Sequence, residues 1–232
     1  MISLVTFDAA GTLIDHCWDP AAIARGILAE MGIQIDEDLA QTEYAKVAAK
    51  FRPEVVAFEK IGDRIGVENV WRKQMQVWLR NIGAENEVQT DIFPIFMERA
   101  FGIDGYVFRL FPDVRPAMQA LKEVGVRLGI ISNWDHTLHT VLENLGISKW
   151  FDFVIASLEF GYEKPDRRIF EEALRRGGAH ADRCLHVGDS EDDDFKGASA
   201  CGISALLIDR GQPASLEDFR ISSLLQVVEV IA

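Results

Sequence analysis

The chain has few cysteines, few basic residues and no long uncharged apolar run, and each shortage excludes a class of protein. Its three cysteines, among 232 residues, show no CxxC spacing, so we expect reduced thiols and a cytoplasmic location. Basic residues number 24 against 37 acidic ones, and the net charge of −13 disfavours nucleic acid or an anionic membrane as a partner. No uncharged stretch approaches the roughly 20 apolar residues of a membrane span, and the early Asp8 argues against a signal peptide.

Hydrophobic residues make up 48% of the chain, enough for a substantial core. The pattern from Asp19 to about Phe101 is helical throughout, with apolar positions three or four residues apart. Asp19 is predicted to cap the first helix of this block, ahead of a proline, and Asp36 to cap the second. Pro53 is predicted to begin a third, shorter helix. Residues 15–18, before the block, are predicted to be a linker.

The remaining segments alternate between strand and helix patterns. Five short apolar runs are predicted strands: Ser3–Phe7, Val126–Ile131, Phe153–Ala156, Cys184–Val187 and Ser204–Ile208. Asp113 is predicted to cap the helix before the second of them. The alternation predicts an α/β fold, a Rossmann-like doubly wound parallel sheet with an inserted all-helical cap. Residues 1–15 and 105–232 are assigned to the core domain, and residues 16–104 to the cap.

Polar residues follow three of the predicted strands at the edge where open α/β sheets bind ligands: Asp8, Ser132 and Asp189. Five carboxylates occur between residues 189 and 194, and their mutual repulsion requires compensation by a cation or a helix N-terminus. Asp8 and Asp189 are therefore candidate ligands of Mg²⁺, with Asp194 binding directly or through water. The alternative is a helical turn that carries solvated acids.

Lys164 lies in a loop before Pro165 and is a candidate to neutralise Asp8 and a phosphoryl group, or else a solvated loop lysine. Ser132 is a candidate hydrogen-bond donor to the same phosphoryl oxygens. Ser132 and Asn133 together are alternatively the cap of the next helix.

Four segments together resemble the motifs of the haloacid dehalogenase-like (HAD) hydrolase superfamily, in the branch with an all-helical cap. They are Phe7–Leu13, Ile131–Asn133, Glu163–Asp166 and His186–Ser190, the last followed by Asp194. The stretch from 132 to 170 is similar to the haloacid dehalogenase-like hydrolase domain-containing proteins. The resemblance covers both core segments and extends to the cap only in its position and helicity.

The resemblance implies a role for each motif residue. Asp8 would be the nucleophile that forms an aspartyl intermediate, and Ser132 and Lys164 would hold the phosphoryl group. Thr12, which would shape the turn, and Asn133 are assigned to substrate binding. The implied cofactor is Mg²⁺, with these ligands: Asp8, the backbone carbonyl of Ala10, Asp189 and, in support, Asp194.

Ala10 departs from the family pattern, because phosphatases of this family carry a second Asp there as general acid and base. Three hypotheses follow. The chain is a Mg²⁺-dependent hydrolase of a small phosphorylated or otherwise activated metabolite; or it cleaves another bond, as phosphonatases and dehalogenases do; or it is a binding or regulatory protein. A phosphonatase would need a cap lysine, and dehalogenases work without metal.

Several residues are candidates for the functions left open. The possible Schiff-base lysines are Lys46, Lys50, Lys60 and Lys73, and the possible substitute acids are His16, His136 and His139. Each is alternatively an ordinary surface or capping residue. Asp15, His16 and Trp18 are candidate determinants of substrate choice, and the sequence leaves the oligomeric state open.

Overall fold

The computed structural model describes residues 1–103 and 107–231. In chain order the strands and helices are β1 Leu4–Phe7, β2 Ile14–His16, α1 Pro20–Glu30, α2 Glu37–Lys60, α3 Arg64–Asn81, α4 Phe93–Phe101, β3 Phe108–Leu110, α5 Val114–Glu123, β4 Arg127–Ser132, α6 Thr137–Asn144, β5 Phe153–Ala156, α7 Ser157–Phe160, α8 Arg167–Gly177, β6 Cys184–Gly188, α9 Gly197–Ala200, β7 Ser204–Ile208, β8 Arg220–Ile221 and α10 Leu225–Ile231.

The chain divides into two compact units. One consists of Met1–His16 and Arg109–Ala232, and the other of Cys17–Phe108. The first boundary falls next to the one expected after residue 15. The expected second boundary, between residues 104 and 105, lies outside the described residues. None of the described helices has both the length and the hydropathy needed to cross a membrane.

The first unit is built on a six-stranded sheet in the order β5-β4-β1-β6-β7-β8, and each of its strand pairs is parallel. All four residues of β1 are buried, as a central strand covered on both faces requires. Helices connect β4 to β5, β5 to β6 and β6 to β7. The predicted parallel α/β core with a helical insertion is confirmed.

The register of the sheet explains why polar residues from distant motifs meet. Phe7 pairs with Ile130 on one side and with Val187 on the other. Asp8, the residue after β1, is therefore level with Ile131 of β4 and Gly188 of β6. Ser132 and Asp189 lie one step beyond that height, at the carboxyl edge of the sheet.

The second unit contains α1 to α4, and Pro53 does not begin a helix there. It lies inside α2, which runs unbroken from Glu37 to Lys60. Val47, Phe51 and Val55 lie on one face of α2 and are buried on both sides of the proline. Pro53 itself is exposed, as is Ala49, whose carbonyl loses its helical partner and can bond to water. Continuous burial of one face therefore outweighs the helix-breaking tendency.

Asp113 is in the predicted position before α5 but makes no capping hydrogen bond. Its carboxylate instead accepts two hydrogen bonds from Arg210 and one each from the Ser223 hydroxyl and the Leu224 amide. The predicted linker at 15–18 is also partly wrong, because residues 14–16 form β2. That strand pairs with β3 in a separate two-stranded sheet.

Candidate active site

Asp8, Lys164 and Ser132 meet at the carboxyl edge of the sheet, and all three are nearly inaccessible to solvent. Lys164 Nζ lies 2.6 Å from Asp8 Oδ1, and Ser132 Oγ donates to the same oxygen at 3.0 Å. Among the described residues, no hydrogen bond reaches Asp8 Oδ2. One oxygen of the carboxylate is thus fixed by two donors, and the other is open to a substrate or a cation.

Burial and the neighbouring charges set the protonation behaviour of this pair. Burial is the main cause that raises the pKa of Asp8 to about 6, although Lys164 opposes it. Burial disfavours the ammonium form of Lys164, but Asp8 and Asp194 outweigh it and raise the pKa of the lysine. Lys164 therefore stays charged near neutral pH, while Asp8 loses its proton only as the pH rises through about 6.

We predict that Mg²⁺ binding weakens as the pH falls through about 6. The proton competes with the cation for Asp8, whose pKa of about 6 is higher than that of an ordinary aspartate. The apparent affinity should fall by up to about tenfold per pH unit below that value. Isothermal titration calorimetry at several pH values between about 5 and about 8 measures it, with circular dichroism to verify the fold. An affinity that does not change over this range would contradict the assignment of Asp8 as a ligand.

Asp194 is buried on the other side of Lys164 and accepts several hydrogen bonds. Its Oδ1 lies 2.5 Å from Lys164 Nζ and 3.1 Å from His186 Nε2, and its Oδ2 accepts from the Ser190 amide at 3.0 Å. Burial opposes ionisation of Asp194, but the hydrogen bonds from His186 and Lys164 lower its pKa. A π-helical turn at Glu191–Lys196 carries Asp194 back toward β6.

Two glycines let these carboxylates approach the backbone closely. Gly11 has a φ of +77°, and a Cβ there would lie 2.3 Å from Asp189 Oδ2. A Cβ on Gly188 would lie 2.1 Å from the carboxyl carbon of Asp194. Contact therefore favours glycine at both positions, and at Gly11 the positive φ favours it as well.

The donor set fits a hard divalent cation. Asp8, Asp189 and Asp194 each offer a carboxylate oxygen, and these three atoms lie within 4.8 Å of one another. The half-buried Ala10 has a carbonyl oxygen that accepts no hydrogen bond from the described residues, so it is available as a fourth oxygen ligand. Mg²⁺ prefers such oxygen ligands, completed by water and substrate phosphate.

Thr12 and Asn133, assigned to substrate binding from the sequence, differ in their surroundings. Thr12 is fully buried in the turn of the first motif. The Asn133 amide bonds to both backbone groups of Lys164, at 3.0 Å and 2.7 Å. In this structure Asn133 therefore holds the lysine loop in place.

Sequence reasoning missed Arg210, which braces the turn of the first motif. Its guanidinium donates to the Thr12 carbonyl at 2.8 Å and lies 3.8 Å from the centroid of the Phe111 ring. It also forms an ion pair with Asp113, in which Nη1 donates to both carboxylate oxygens. Although partial burial opposes it, the hydrogen bonds from Arg210, Leu224 and Ser223 lower the pKa of Asp113. No sequence motif points to Arg210, because its partners lie about a hundred or more residues away.

Sequence reasoning assigned no role to Thr6, nor to His186, which begins the fourth motif. Both are completely buried, and the Thr6 hydroxyl lies 2.9 Å from His186 Nδ1. The signal was available, because a polar residue in each of two adjacent apolar strands predicts a buried pair.

The structure gives less support to the candidate substitute acids, to the candidate Schiff-base lysines and to Trp18 as a determinant of substrate choice. His139 pairs with Glu159 at 2.7 Å, and His136 is buried, whereas His16 is exposed. The four cap lysines are all exposed on α2 and α3. Trp18 packs within its own unit against Phe101 and Phe108, with ring centroids 5.3 Å and 5.9 Å away.

Comparison with curated proteins identifies several similar chains, among them a phosphatase and a hydrolase domain-containing protein. The glyceraldehyde 3-phosphate phosphatase of Methanothermobacter thermautotrophicus is 33% identical over 214 residues, which are 90% of this chain and 86% of that protein. The haloacid dehalogenase-like hydrolase domain-containing protein 3 of Bos taurus is 38% identical over 96 residues. That match covers 41% of this chain and 38% of the bovine protein.

Similar solved structures and a matching family model are also haloacid dehalogenase-like proteins. A 2-haloacid dehalogenase from Pseudomonas syringae is 28% identical with a TM-score of 0.70, and covers 100% of this chain and 98% of its own. A HAD phosphatase from Thermococcus onnurineus has a TM-score of 0.66 at 21% identity, with the same coverages, and shows the fold. The haloacid dehalogenase-like hydrolase model matches residues 2–202. With the four motifs assembled at one sheet edge, the chain belongs to the haloacid dehalogenase-like hydrolase family.

Proposed function

We propose that the chain is a Mg²⁺-dependent hydrolase that acts on a small phosphorylated or otherwise activated metabolite through an aspartyl intermediate at Asp8. One observation carries the proposal: Lys164 and Ser132 converge on a single oxygen of the buried Asp8 carboxylate. A nucleophile, an ammonium cation and a hydroxyl donor are thereby held together, each with little exposure to solvent. The phosphatase name of a relative that matches most of the chain supports the same reaction class.

The side chains have separable roles in this mechanism. Asp8 attacks the phosphorus atom and displaces the leaving group, so that one difficult substitution becomes two easier ones. Lys164 and Ser132, which touch the attacking carboxylate, also lie where they can bind the phosphoryl oxygens as negative charge develops. Asp8, Asp189, Asp194 and the Ala10 carbonyl would hold Mg²⁺, which supplies positive charge against the phosphoryl oxygens when bound.

Ala10 restricts the substrate class. A methyl side chain cannot protonate a departing alkoxide or activate the water that hydrolyses the intermediate. General acid–base help of this kind is worth about 10²–10⁴-fold. We therefore propose that the preferred substrates carry leaving groups acidic enough to depart without a proton, such as acyl or aryl phosphates.

A metal-dependent panel tests this proposal. Acetyl phosphate, p-nitrophenyl phosphate and glycerol 3-phosphate, which share a phosphoryl group but have leaving groups of decreasing acidity, are assayed with Mg²⁺ and with EDTA. We expect Mg²⁺-dependent phosphate release with kcat/KM falling along that series. Equal rates on all three compounds, or rates unaffected by EDTA, would contradict it.

A dehalogenase is the second candidate, favoured by the 28% identity to the 2-haloacid dehalogenase. In that reaction Asp8 would attack a carbon atom and halide would leave without a proton, so Ala10 would be no handicap. Chloride release from both enantiomers of 2-chloropropionate, in EDTA, tests it. The three clustered carboxylates argue against this candidate, because a reaction without metal leaves their repulsion uncompensated.

Two further alternatives have less support. A phosphonatase needs a lysine whose amine is readily deprotonated, usually by burial, and the four cap lysines are exposed. Borohydride trapping with phosphonoacetaldehyde would reveal a Schiff base. A purely regulatory protein would bind Mg²⁺ without turnover on any ester of the panel.

A further inference from the structure

A buried chain of hydrogen bonds leads from the middle of the sheet to the candidate metal site. The Thr6 hydroxyl lies 2.9 Å from His186 Nδ1, and His186 Nε2 lies 3.1 Å from Asp194 Oδ1. Thr6 and His186 are 0% exposed, and Asp194 is 1% exposed. Solvent therefore does not compete for the hydrogen bonds that join these three groups.

Strand register and a neighbouring aromatic ring hold the imidazole of His186 in place. Thr6 and His186 are register partners in β1 and β6, so their side chains point to the same face of the sheet. Phe170 packs edge-on against the ring, at 5.4 Å between centroids. A neutral ring satisfies both neighbours when Nδ1 accepts the Thr6 hydroxyl proton and Nε2–H donates to Asp194.

The donor from His186 completes the set that orients Asp194. Lys164 and His186 share Oδ1, and the Ser190 amide holds Oδ2. Lys164 belongs to a loop and Ser190 to the turn after β6, whereas His186 is anchored in the middle of the sheet. Without His186, the Asp194 carboxylate would keep hydrogen bonds only to Ser190, in its own turn, and to Lys164, which it positions.

We propose that His186 is a positioning residue, held by Thr6, that orients Asp194 and through it both Lys164 and the Mg²⁺ site. The proposal rests on the proposed function only for the identity of the metal. Groups that orient metal ligands from behind typically change metal affinity or activity by about 10–100-fold when they are removed. Thr6 and His186 have no access to substrate, so their effect must pass through Asp194.

Matched substitutions separate the hydrogen bond from the volume of the ring. His186→Gln can place an amide donor near the position of Nε2, whereas His186→Leu fills space without a donor. Thr6→Ser keeps the hydroxyl, and Thr6→Val removes it at similar volume. Mg²⁺ affinity of the full chain, measured by isothermal titration calorimetry without substrate, is the readout, and thermal unfolding in EDTA shows whether each variant folds.

We expect His186→Leu to weaken Mg²⁺ binding by about 10–100-fold and Thr6→Val to weaken it less, while His186→Gln and Thr6→Ser stay near the wild type. In the wild type, nitrogen-15 imidazole spectra should show Nε2 protonated. Folded His186→Leu and Thr6→Val variants that bind Mg²⁺ normally would overturn the proposal. So would a Thr6→Val variant with normal affinity if His186→Leu does not fold, or a wild type without Mg²⁺ affinity. A wild type that binds Mg²⁺ but hydrolyses none of the three phosphorylated compounds refutes the proposed function alone.

Discussion

Asp8→Asn is expected to abolish hydrolysis, with kcat lowered by at least about 10⁴-fold, because the amide replaces the only carboxylate at the end of β1. Asparagine has nearly the same shape and can still accept a hydrogen bond from Lys164 and from Ser132. The fold should therefore survive. The loss should appear in kcat and not in the melting temperature.

Trapping of the intermediate makes the result specific to covalent catalysis. Wild-type protein quenched in acid during turnover should carry one phosphoryl group per chain, and hydroxylamine should release it from Asp8. Asp182→Asn, which neutralises an exposed carboxylate in the same unit, is the matched control and should keep full activity. An Asp8→Asn variant that retains Mg²⁺-dependent turnover would remove Asp8 from the role of nucleophile.

The site residues could be predicted from sequence because a parallel sheet converts motif order into spatial proximity. Asp8, Ser132 and Asp189 each follow an apolar strand that could be recognised, and the register brings the ends of those strands to one edge. Strand type and direction were enough to place them. Their pairings were not predictable, because the contact of Lys164 with both Asp8 and Asp194 depends on the path of a loop.

The errors arose where long-range contacts outweigh local preference. Asp113 has the residue type and position of a helix cap, but Arg210 and Ser223 compete for its carboxylate from 97 and 110 residues away. Pro53 is locally a helix breaker, yet α2 continues because the same face stays buried on both sides of it. The outcome at Asp113 cannot be read from a window of neighbouring residues, whereas the outcome at Pro53 depends on how much the buried face contributes against the proline.

The backbone around Ala10 separates the role of its carbonyl from the role of its side chain. Its carbonyl has no hydrogen-bond partner among the described residues, and Gly11 and Ile14 hold the backbone around it through an amide–carbonyl bond of 2.8 Å. We therefore propose that the backbone at this position binds the cation, independently of the side chain. On that proposal, alanine in place of an aspartate removes a proton donor without removing a metal ligand.

Ala10→Asp is accordingly expected to raise kcat on alkyl phosphates by about 10²–10⁴-fold, because the new carboxyl can protonate the leaving alkoxide and then activate water. Glycerol 3-phosphate should gain most and acetyl phosphate least, since the acyl leaving group needs no proton. The measurement is the ratio of the two kcat values in the variant and in the wild type.

Ala10→Asn separates proton transfer from size and polarity. Its side chain matches that of aspartate but cannot transfer a proton at neutral pH, so it should give no gain on glycerol 3-phosphate. Mg²⁺ affinity of all three proteins, measured by calorimetry, verifies that the carbonyl ligand is undisturbed. If Ala10→Asp binds Mg²⁺ and still gives no gain on alkyl esters, the missing acid does not limit the reaction, and the preference for acidic leaving groups must have another cause.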